Sequence, residues 1–167
     1  MIVSNSSPLI YLGKLKKLTL LKMLFKEVLI PQEVYEEVVV KGKEEKFLDA
    51  LAVEHAKKEG WLRIGKALEE KEFEDFFAEI DRGETAAILL AQKHHANLLL
   101  IDDASARTIT QSFGLKVKGT IFILLTAYKK KLLTREEVKR SMGRLVAEGF
   151  RISHELYVSV LEEIDKA

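Results

Sequence analysis

The sequence contains no cysteine, which excludes disulfide bonds and metal sites built on thiolates. Its four histidines include only one close pair, His94 and His95, so a histidine-based zinc site is not indicated. No apolar run is long enough to span a bilayer, and the apolar Ile2 and Val3 are followed at once by polar residues, unlike a signal peptide. These absences predict a cytoplasmic protein without a membrane segment.

A large net charge is also missing, because 27 Lys and Arg residues face 26 Asp and Glu residues and leave a net charge of +1. A nucleic-acid-binding protein with a broad basic field is therefore not indicated. Two basic runs, residues 14–17 and 129–131, stay open as local binding patches, although solvated helix ends explain them more simply. Abundant lysine and glutamate without cysteine are typical of a thermophilic source.

Several familiar motifs of catalysis and phosphate binding are absent. The sequence has no P-loop, no GxGxxG fingerprint and no nucleophile elbow, and no Ser/His/Asp set is visible in it. A nucleotide-binding α/β protein therefore has little support, because such proteins hold phosphate with a glycine-rich loop.

What the sequence does contain is an alternation of strand and helix patterns over a length typical of one domain, residues 1–167. The predicted strands are residues 1–5, 28–30, 61–64, 98–101 and 116–118. The predicted helices are a short one capped by Ser7 with Pro8 first, residues 20–25 capped by Thr19, residues 32–41, 45–58, 67–79, 84–95, 104–113 and 120–130, and two more capped by Thr134 and Ser153. This alternation predicts an α/β fold with a mostly parallel sheet.

Polar residues follow two of the predicted strands. Asn5 ends the first, and Asp102 and Asp103 follow the apolar run Leu98–Ile101. In open parallel sheets, ligands bind beyond the carboxyl ends of the strands. A local role is the alternative in both places, since Asn5 could form an Asx turn or cap and either aspartate could cap the next helix.

Two more acidic groups lie at helices. Asp81 and Glu84 open an apolar helix, where acidic residues are favoured on electrostatic grounds alone, and Glu37 lies on a helix whose acidic face solvent exposure would also explain. Taken together, acids from several elements predict a site for a hard divalent cation, because Mg²⁺ and Mn²⁺ prefer oxygen ligands. Such an ion would serve phosphodiester cleavage.

The sequence resembles the PIN domain nucleases, and most closely the VapC-type toxins that occur beside small antitoxins. The resemblance covers nearly the whole chain and implies a three-layer α/β/α PIN-like fold with a mostly parallel central sheet. It is carried by the order and spacing of five segments, VSNSSPLIYLGKLKKLTLL, IPQEVYEEVV, DRGETAAILLAQKHHANLLLIDDASAR, GLKVKGTIFILLTAYKKKLL and GFRISHELYVSVLEE.

PIN domains gather acidic residues around one or two Mg²⁺ or Mn²⁺ ions and cut single-stranded RNA, leaving 5′-phosphate and 3′-hydroxyl ends. The resemblance implies that the family's metal ligands correspond to Asn5, Glu37, Glu84 and either Asp102 or Asp103 in this sequence. The expected catalytic residues are the acids Glu37, Glu84, Asp102 and Asp103. Arg107 follows Asp103 by one helical turn and either faces the same cleft or lies on the surface.

Asn5 departs from the family pattern, which has aspartate there in most members. Its carbonyl oxygen can still coordinate a hard cation but supplies no charge. Two hypotheses follow, namely a metal-dependent endoribonuclease held inactive by a small antitoxin protein, and a catalytically impaired scaffold that binds an antitoxin, another PIN chain or RNA. The resemblance also implies a homodimer. The apolar residues of 121–127 and of the last helix, including Leu156 and Val160, suit either a core or an interface.

Overall fold

The computed structural model describes residues 1–67 and 80–166 of the chain. The glutamate-rich helix predicted over residues 67–79 falls almost entirely outside these ranges. The chain divides into two compact units, Met1–Thr120 and Ile121–Ala167. The single domain expected over residues 1–167 stays a prediction.

The first unit is built on a five-stranded sheet in which every pair of neighbouring strands is parallel, as the α/β alternation predicts. The strands lie in the order β3-β2-β1-β4-β5. Their bounds are β1 (Ile2–Ser4), β2 (Val28–Pro31), β3 (Leu62–Gly65), β4 (Leu98–Leu100) and β5 (Val117–Lys118). The strand predicted at residues 61–64 is therefore an edge strand, as expected. The central strand β1 is hydrogen-bonded on both sides, so its end lies in the middle of the sheet.

Helices cover the sheet and give the three-layer α/β/α arrangement of a PIN-like fold. Those of the first unit are α1 (Ser6–Lys14), α2 (Thr19–Phe25), α3 (Gln32–Tyr35), α4 (Gly42–Glu44), α5 (Leu48–Lys58), α6 (Arg82–Lys93) and α7 (Ala104–Ser112). Gly114 ends α7, as predicted. Its φ of +73° suits glycine, and the amide of Leu115 returns to the carbonyl of Thr110 at 3.3 Å.

The core of the first unit forms between α6 and the sheet. The run Ala87–Ala91 of α6 is buried in one cluster with Val3, Leu29 and Leu99 from the three central strands. Because α6 is apolar nearly all round, it lies deep in the molecule and not at its surface. Its N-terminus is thereby held in a fixed position, which matters for the site below.

The start of α1 differs from the sequence prediction. Ser7 was expected to cap this helix and Pro8 to begin it, but the helix already begins at Ser6 and Asn5 occupies the N-cap position. Thr19 likewise begins α2 and does not precede it, and no side chain caps that helix. Both predictions failed because side-chain preferences for caps are weak beside the packing that fixes where a helix starts.

The helix predicted over residues 32–41 forms, but with an unexpected geometry. A π-helical segment, Glu36–Lys41, joins α3 to α4, and such segments occur frequently at functional sites. The helix predicted over residues 45–58 begins only at Leu48, because Lys46 has a φ of +60° and Phe47 is extended. The inward positions Val34 and Val38 are buried as predicted.

The second unit consists of α8 (Thr120–Lys129, whose first residue ends the first unit), α9 (Arg135–Ala147) and α10 (His154–Lys166). Thr134 and Glu137 form the predicted capping box of α9, and Ser153 accepts the predicted bond from the amide of Leu156. Ile123, Leu124 and Ala127 are fully buried, which favours a core role for that stretch. Among the described residues, no helix is long and apolar enough to cross a membrane.

Candidate active site

The two strand ends that the sequence singles out are neighbours in the sheet. Strands β1 and β4 pair with Ser4 opposite Leu100, and the amide of Asn5 donates to the carbonyl of Leu100 at 3.0 Å. The segment that carries Asp102 and Asp103 therefore leaves the sheet next to Asn5, at the carboxyl edge. This is the edge at which parallel sheets bind their ligands.

The side chain of Asn5 is buried without a hydrogen-bond partner for its carbonyl oxygen. The residue is 2% exposed, and within residues 1–67 and 80–166 nothing donates to Oδ1. Although Asn5 occupies the N-cap position of α1, its side chain makes no capping bond, so the local capping role fails. An unsatisfied buried acceptor destabilises a fold by about 1–3 kcal/mol, which makes a missing donor or cation the natural explanation.

Glu37 reaches this edge from the π-helical segment. Its Oε2 accepts a 2.5 Å hydrogen bond from the hydroxyl of Ser6, the residue next to Asn5. Gly83, in the first turn of α6, leaves the room for this approach, since a Cβ atom there would lie 3.0 Å from Glu37 Oε2 and 3.3 Å from Asp81 Oδ1. The carboxylates of Glu37 and Asp81 thus flank the N-terminus of α6.

Glu84 is held in that first turn by a capping box. The amide of Glu84 donates to Asp81 Oδ1 at 2.8 Å, and the amide of Asp81 donates to Glu84 Oε2 at 3.2 Å. Burial and the nearby charges of Asp81, Asp103 and Glu37 together raise the pKa of Glu84 to about 7, against an opposing backbone hydrogen bond from Asp81. The mutual repulsion shows that these four carboxylates share one electrostatic neighbourhood.

The two adjacent aspartates point to different partners. Asp103 accepts from the amide of Ala106 at 2.9 Å and so caps α7, while its charge acts on Glu84. Asp102 instead accepts from both the amide and the hydroxyl of Thr120, each at 2.7 Å. Burial raises the pKa of Asp102, and the Thr120 bonds and the Arg107 charge oppose this.

Arg107 lies beside Asp102. Its guanidinium donates to the carbonyl of Ile101 at 3.3 Å, and it would be 3.3 Å from a Cβ atom at Gly119, which also touches Asp102. The sequence left open whether Arg107 faces the cleft or lies on the surface, and this position beside the Asp102 carboxylate supports the cleft.

A cavity of ≈ 310 Å³ opens between the π-helical segment and the start of α6. Acidic residues dominate its lining, but Lys41 and Arg82 stand among them. Arg82 approaches Glu33 at 4.0 Å, a weak and exposed ion pair. These two cations place positive charge in a cavity that is otherwise lined mainly by carboxylates.

The carboxylates are not gathered into a preformed cage. In the described part of the chain, no group of three or more histidine, aspartate or glutamate side chains stands ready to hold a metal ion. The residues nevertheless fit a hard divalent cation in kind, because the unpartnered Asn5 oxygen and the carboxylates of Glu37, Glu84 and Asp103 are all oxygen donors.

Three features of this site were not predicted from the sequence. Ser6 supports Glu37, Asp81 belongs to the acid cluster as well as to the helix cap, and Thr120 holds Asp102. Asp81 followed three residues later by Glu84 resembles a capping box and could have been found. The other two contacts join residues far apart in the chain and leave no local pattern.

Comparison with known families agrees with this geometry. The family model DUF3368, described as a PIN domain, matches residues 1–166, and the chain therefore belongs to this PIN-domain family. PIN domains are generally nucleases, which act on nucleic acid and typically use divalent metal ions. No curated protein matches the chain.

Proposed function

We propose that this protein is a metal-dependent endonuclease of single-stranded RNA and the VapC-type toxin of a toxin–antitoxin pair. The observation that carries the proposal is the buried Asn5 carbonyl oxygen, which has no hydrogen-bond partner in the described part of the chain and lies at the carboxyl edge of the sheet. The charges of Glu37 and Asp103 lie near enough to Glu84 to raise its pKa, which supports the proposal further. Membership of the PIN-domain family supports a nuclease. That the substrate is RNA and that the protein is a toxin are inferred from the resemblance of the sequence to VapC-type toxins.

Mg²⁺ or Mn²⁺ would be held by Asn5, Glu37, Glu84 and Asp103, with Asp102 as the alternative to Asp103. A divalent cation bound there supplies positive charge that polarises a phosphodiester and makes a nearby water more acidic. Because Asn5 is neutral, the ligand set carries one negative charge less than a set with aspartate in that position.

The chain's own residues have separate tasks in this proposal. Glu37, Glu84, Asp102 and Asp103 are the candidate catalytic residues. Ser6 holds the Glu37 carboxylate by its hydrogen bond, and Thr120 holds Asp102. Lys41 and Arg82, at the cavity beside the acids, attract the phosphates of the strand and offset the repulsion between RNA and the carboxylates.

Two protein partners belong to the same proposal. A small antitoxin would cover the site and keep the toxin inactive. A second copy of the chain would form a homodimer, for which Leu156 and Val158 of α10 are apolar candidates because they are 46% and 36% exposed.

Asn5 gives specific support to a second candidate function, a scaffold that binds an antitoxin, another PIN chain or RNA without cutting it. The neutral side chain weakens both metal affinity and water activation. Against this, Glu37, Glu84, Asp102 and Asp103 are all retained, and loss of the function would be expected to remove more than one acid.

Titration calorimetry with Mn²⁺ separates the two functions. We expect saturable binding to the wild type, tighter binding to Asn5→Asp because of its added charge, and no binding to Glu84→Ala. A thermal melt of each variant controls for unfolding. Binding that appears only in Asn5→Asp would establish the scaffold, and equal binding by the wild type and Glu84→Ala would contradict this metal site altogether.

A further inference from the structure

We propose that the single-stranded RNA passes from the candidate active site over the end of β5, where Arg107 and Lys118 bind phosphates of its backbone. The inference rests on the proposed function, since it concerns the path of the same strand. We call the end of β5, with Arg107, Lys118 and Gly119, the β5 surface. None of these three residues lines the cavity beside Glu37.

Positive charge is concentrated in one stretch of the chain. From Ala104 to Arg135 the sequence contains no aspartate or glutamate and seven lysines and arginines, although acids and bases nearly balance over the whole chain. The part of this stretch in the first unit comprises α7 and β5, with Arg107, Lys116 and Lys118 as its cations. Cations that are not interspersed with acids attract a polyanion, and this attraction does not depend on base sequence.

The strand order places the β5 surface on one side of the acids and the cavity on the other. The sheet runs β3-β2-β1-β4-β5, so Asn5 follows the middle strand and β5 is an edge strand. The π-helical segment with Glu37 follows β2, which lies on the opposite side of β1. Two strand spacings, about 10 Å, separate β1 from β5. A few nucleotides of single strand cover that distance.

Arg107 is oriented at this edge by two hydrogen bonds. Its amide donates to the carbonyl of Asp103 at 3.0 Å, so it lies one helical turn beyond the acid whose charge acts on Glu84. Its side chain is partly buried, and the guanidinium donates to the carbonyl of Ile101 at 3.3 Å. A guanidinium has five N–H donors in a rigid fork, and the bond to Ile101 orients that fork before a phosphate arrives.

The acid beside Arg107 is bound to another residue. Both oxygens of Asp102 accept from Thr120 at 2.7 Å, and Arg107 acts on Asp102 through its charge. A Cβ atom at Gly119 would lie 3.3 Å from Arg107 Nη1, so the guanidinium lies against the end of β5. Lys118 precedes Gly119 and is exposed. Two cations, one from α7 and one from β5 itself, therefore lie at the end of this strand.

The surroundings favour a nucleic-acid backbone over an acidic protein segment. Among the described residues, none of the exposed large apolar side chains lies between Ala104 and Thr120. A protein interface is built around an apolar core, whereas a phosphate backbone is held by cations and hydrogen-bond donors. The β5 surface offers cations without apolar side chains, which suits a phosphate backbone.

The test is the salt dependence of binding of a fluorescein-labelled oligouridine RNA, measured by anisotropy in EDTA so that nothing is cut. Each phosphate contact with a single strand contributes about 0.7 to the slope of log K against log salt. We expect Arg107→Gln and Lys118→Gln each to lower the slope by about 0.7 and to weaken binding roughly fivefold at about 0.1 M salt. Glutamine keeps an N–H donor for the Ile101 carbonyl, and Arg107→Lys, which keeps the charge, should retain the slope.

Lys26→Gln is the matched control. Lys26 is exposed and lies two residues before β2, at the amino edge of the sheet, so the variant removes the same charge at the opposite edge. Its slope should equal that of the wild type. Thermal melts report whether each variant is folded.

Several results would overturn the proposal. These are no RNA binding by the wild type, an unchanged slope in folded Arg107→Gln or Lys118→Gln, and an equal fall in Lys26→Gln. Should Arg107→Gln fail to fold, the slope of Lys118→Gln decides. Unchanged RNA slopes together with weaker binding of oligoglutamate would show a site for an acidic protein segment instead.

The outcome is separable from that of the proposed function. Glu84→Ala should keep the salt slope in EDTA while losing Mn²⁺ binding, because Glu84 lies outside the β5 surface. Cleavage by the wild type with unchanged slopes in the β5 variants would overturn the path and leave the nuclease standing. Lowered slopes in those variants without metal binding by the wild type would support the path on a scaffold.

Discussion

The hydroxyl of Ser6 donates a 2.5 Å hydrogen bond to Glu37 Oε2 across a separation of 31 residues in the chain. This contact ties the start of α1 to the π-helical segment and fixes one oxygen of an exposed glutamate. Without it, Glu37 would sample several rotamers, and ordering it on metal binding would cost conformational entropy.

Ser6→Ala should therefore weaken Mn²⁺ binding by roughly three- to tenfold, on the scale of the net contribution of one ordinary hydrogen bond, because Glu37 is exposed to solvent. Ser6→Thr, which keeps the hydroxyl, should restore the affinity. Calorimetry gives the affinities, and thermal melts report the fold. If Ser6→Ala binds Mn²⁺ like the wild type, the hydroxyl does not position Glu37.

Asp103 caps α7 and also places a negative charge near Glu84. Two substitutions separate these roles. Asp103→Asn keeps a good capping side chain, so stability should change by less than about 0.5 kcal/mol while Mn²⁺ affinity falls. Asp103→Ala should lose the affinity and also about 1 kcal/mol of stability. Urea denaturation and calorimetry measure the two quantities. Unchanged affinity in Asp103→Asn would point to Asp102 as the ligand.

The raised pKa of Glu84 predicts how stability depends on pH in the absence of metal. In the folded protein the pKa is about 7, against 4.5 as the ordinary value, so the folded state binds the proton more tightly. The contribution of Glu84 to the free energy of unfolding is therefore fully present below about pH 4.5, and it is lost as the pH rises through about 7.

Glu84→Gln stays neutral and should escape this loss. In EDTA we expect the variant to be more stable than the wild type at about pH 8, on the order of 1 kcal/mol because solvent screens the cluster, and the difference should disappear near pH 4.5. Thermal melts across the pH range measure it, with the exposed Glu44→Gln as control. A variant less stable than the wild type at about pH 8 would contradict the proposed repulsion.

Thr120 holds Asp102 through both its amide and its hydroxyl, and the residue is fully buried. Thr120→Val keeps the shape but leaves one carboxylate oxygen without a donor, so we expect a loss of about 1–3 kcal/mol in the free energy of unfolding. Thr108→Val is the matched control, because the Thr108 hydroxyl is exposed and bonds only a carbonyl within its own helix. Equal losses in the two variants would show that Asp102 does not depend on Thr120.

Local patterns in the sequence predicted most elements and several of their ends. The capping box of Thr134 and Glu137, the cap at Ser153 and the stop at Gly114 all depend on residues a few positions apart, and the structure confirms each. The cap expected at Ser7 was wrong, because packing of α1 allows the helix to begin one residue earlier.

The candidate active site could likewise be predicted only in part from the sequence. Because parallel strands end at one edge, the alternation predicted that Asn5, Asp102 and Asp103 lie on the same edge of the sheet. That β1 and β4 are neighbours, which brings these residues close together, was decided by the strand order of the tertiary structure. Which aspartate faces Glu84 could not be predicted, since the two are adjacent and either would make a plausible cap. Contacts with Thr120 and Ala106, on different elements, separate them.

By itself the sequence determined the α/β alternation, the parallel sheet and the set of acids at element ends, because each depends on periodicity or on neighbours along the chain. The tertiary structure alone decided that the Asn5 carbonyl oxygen is buried without a partner, that Ser6 holds Glu37 and that Thr120 holds Asp102. These are properties of packing between elements distant in sequence, where burial and close approach set the energy of each polar group.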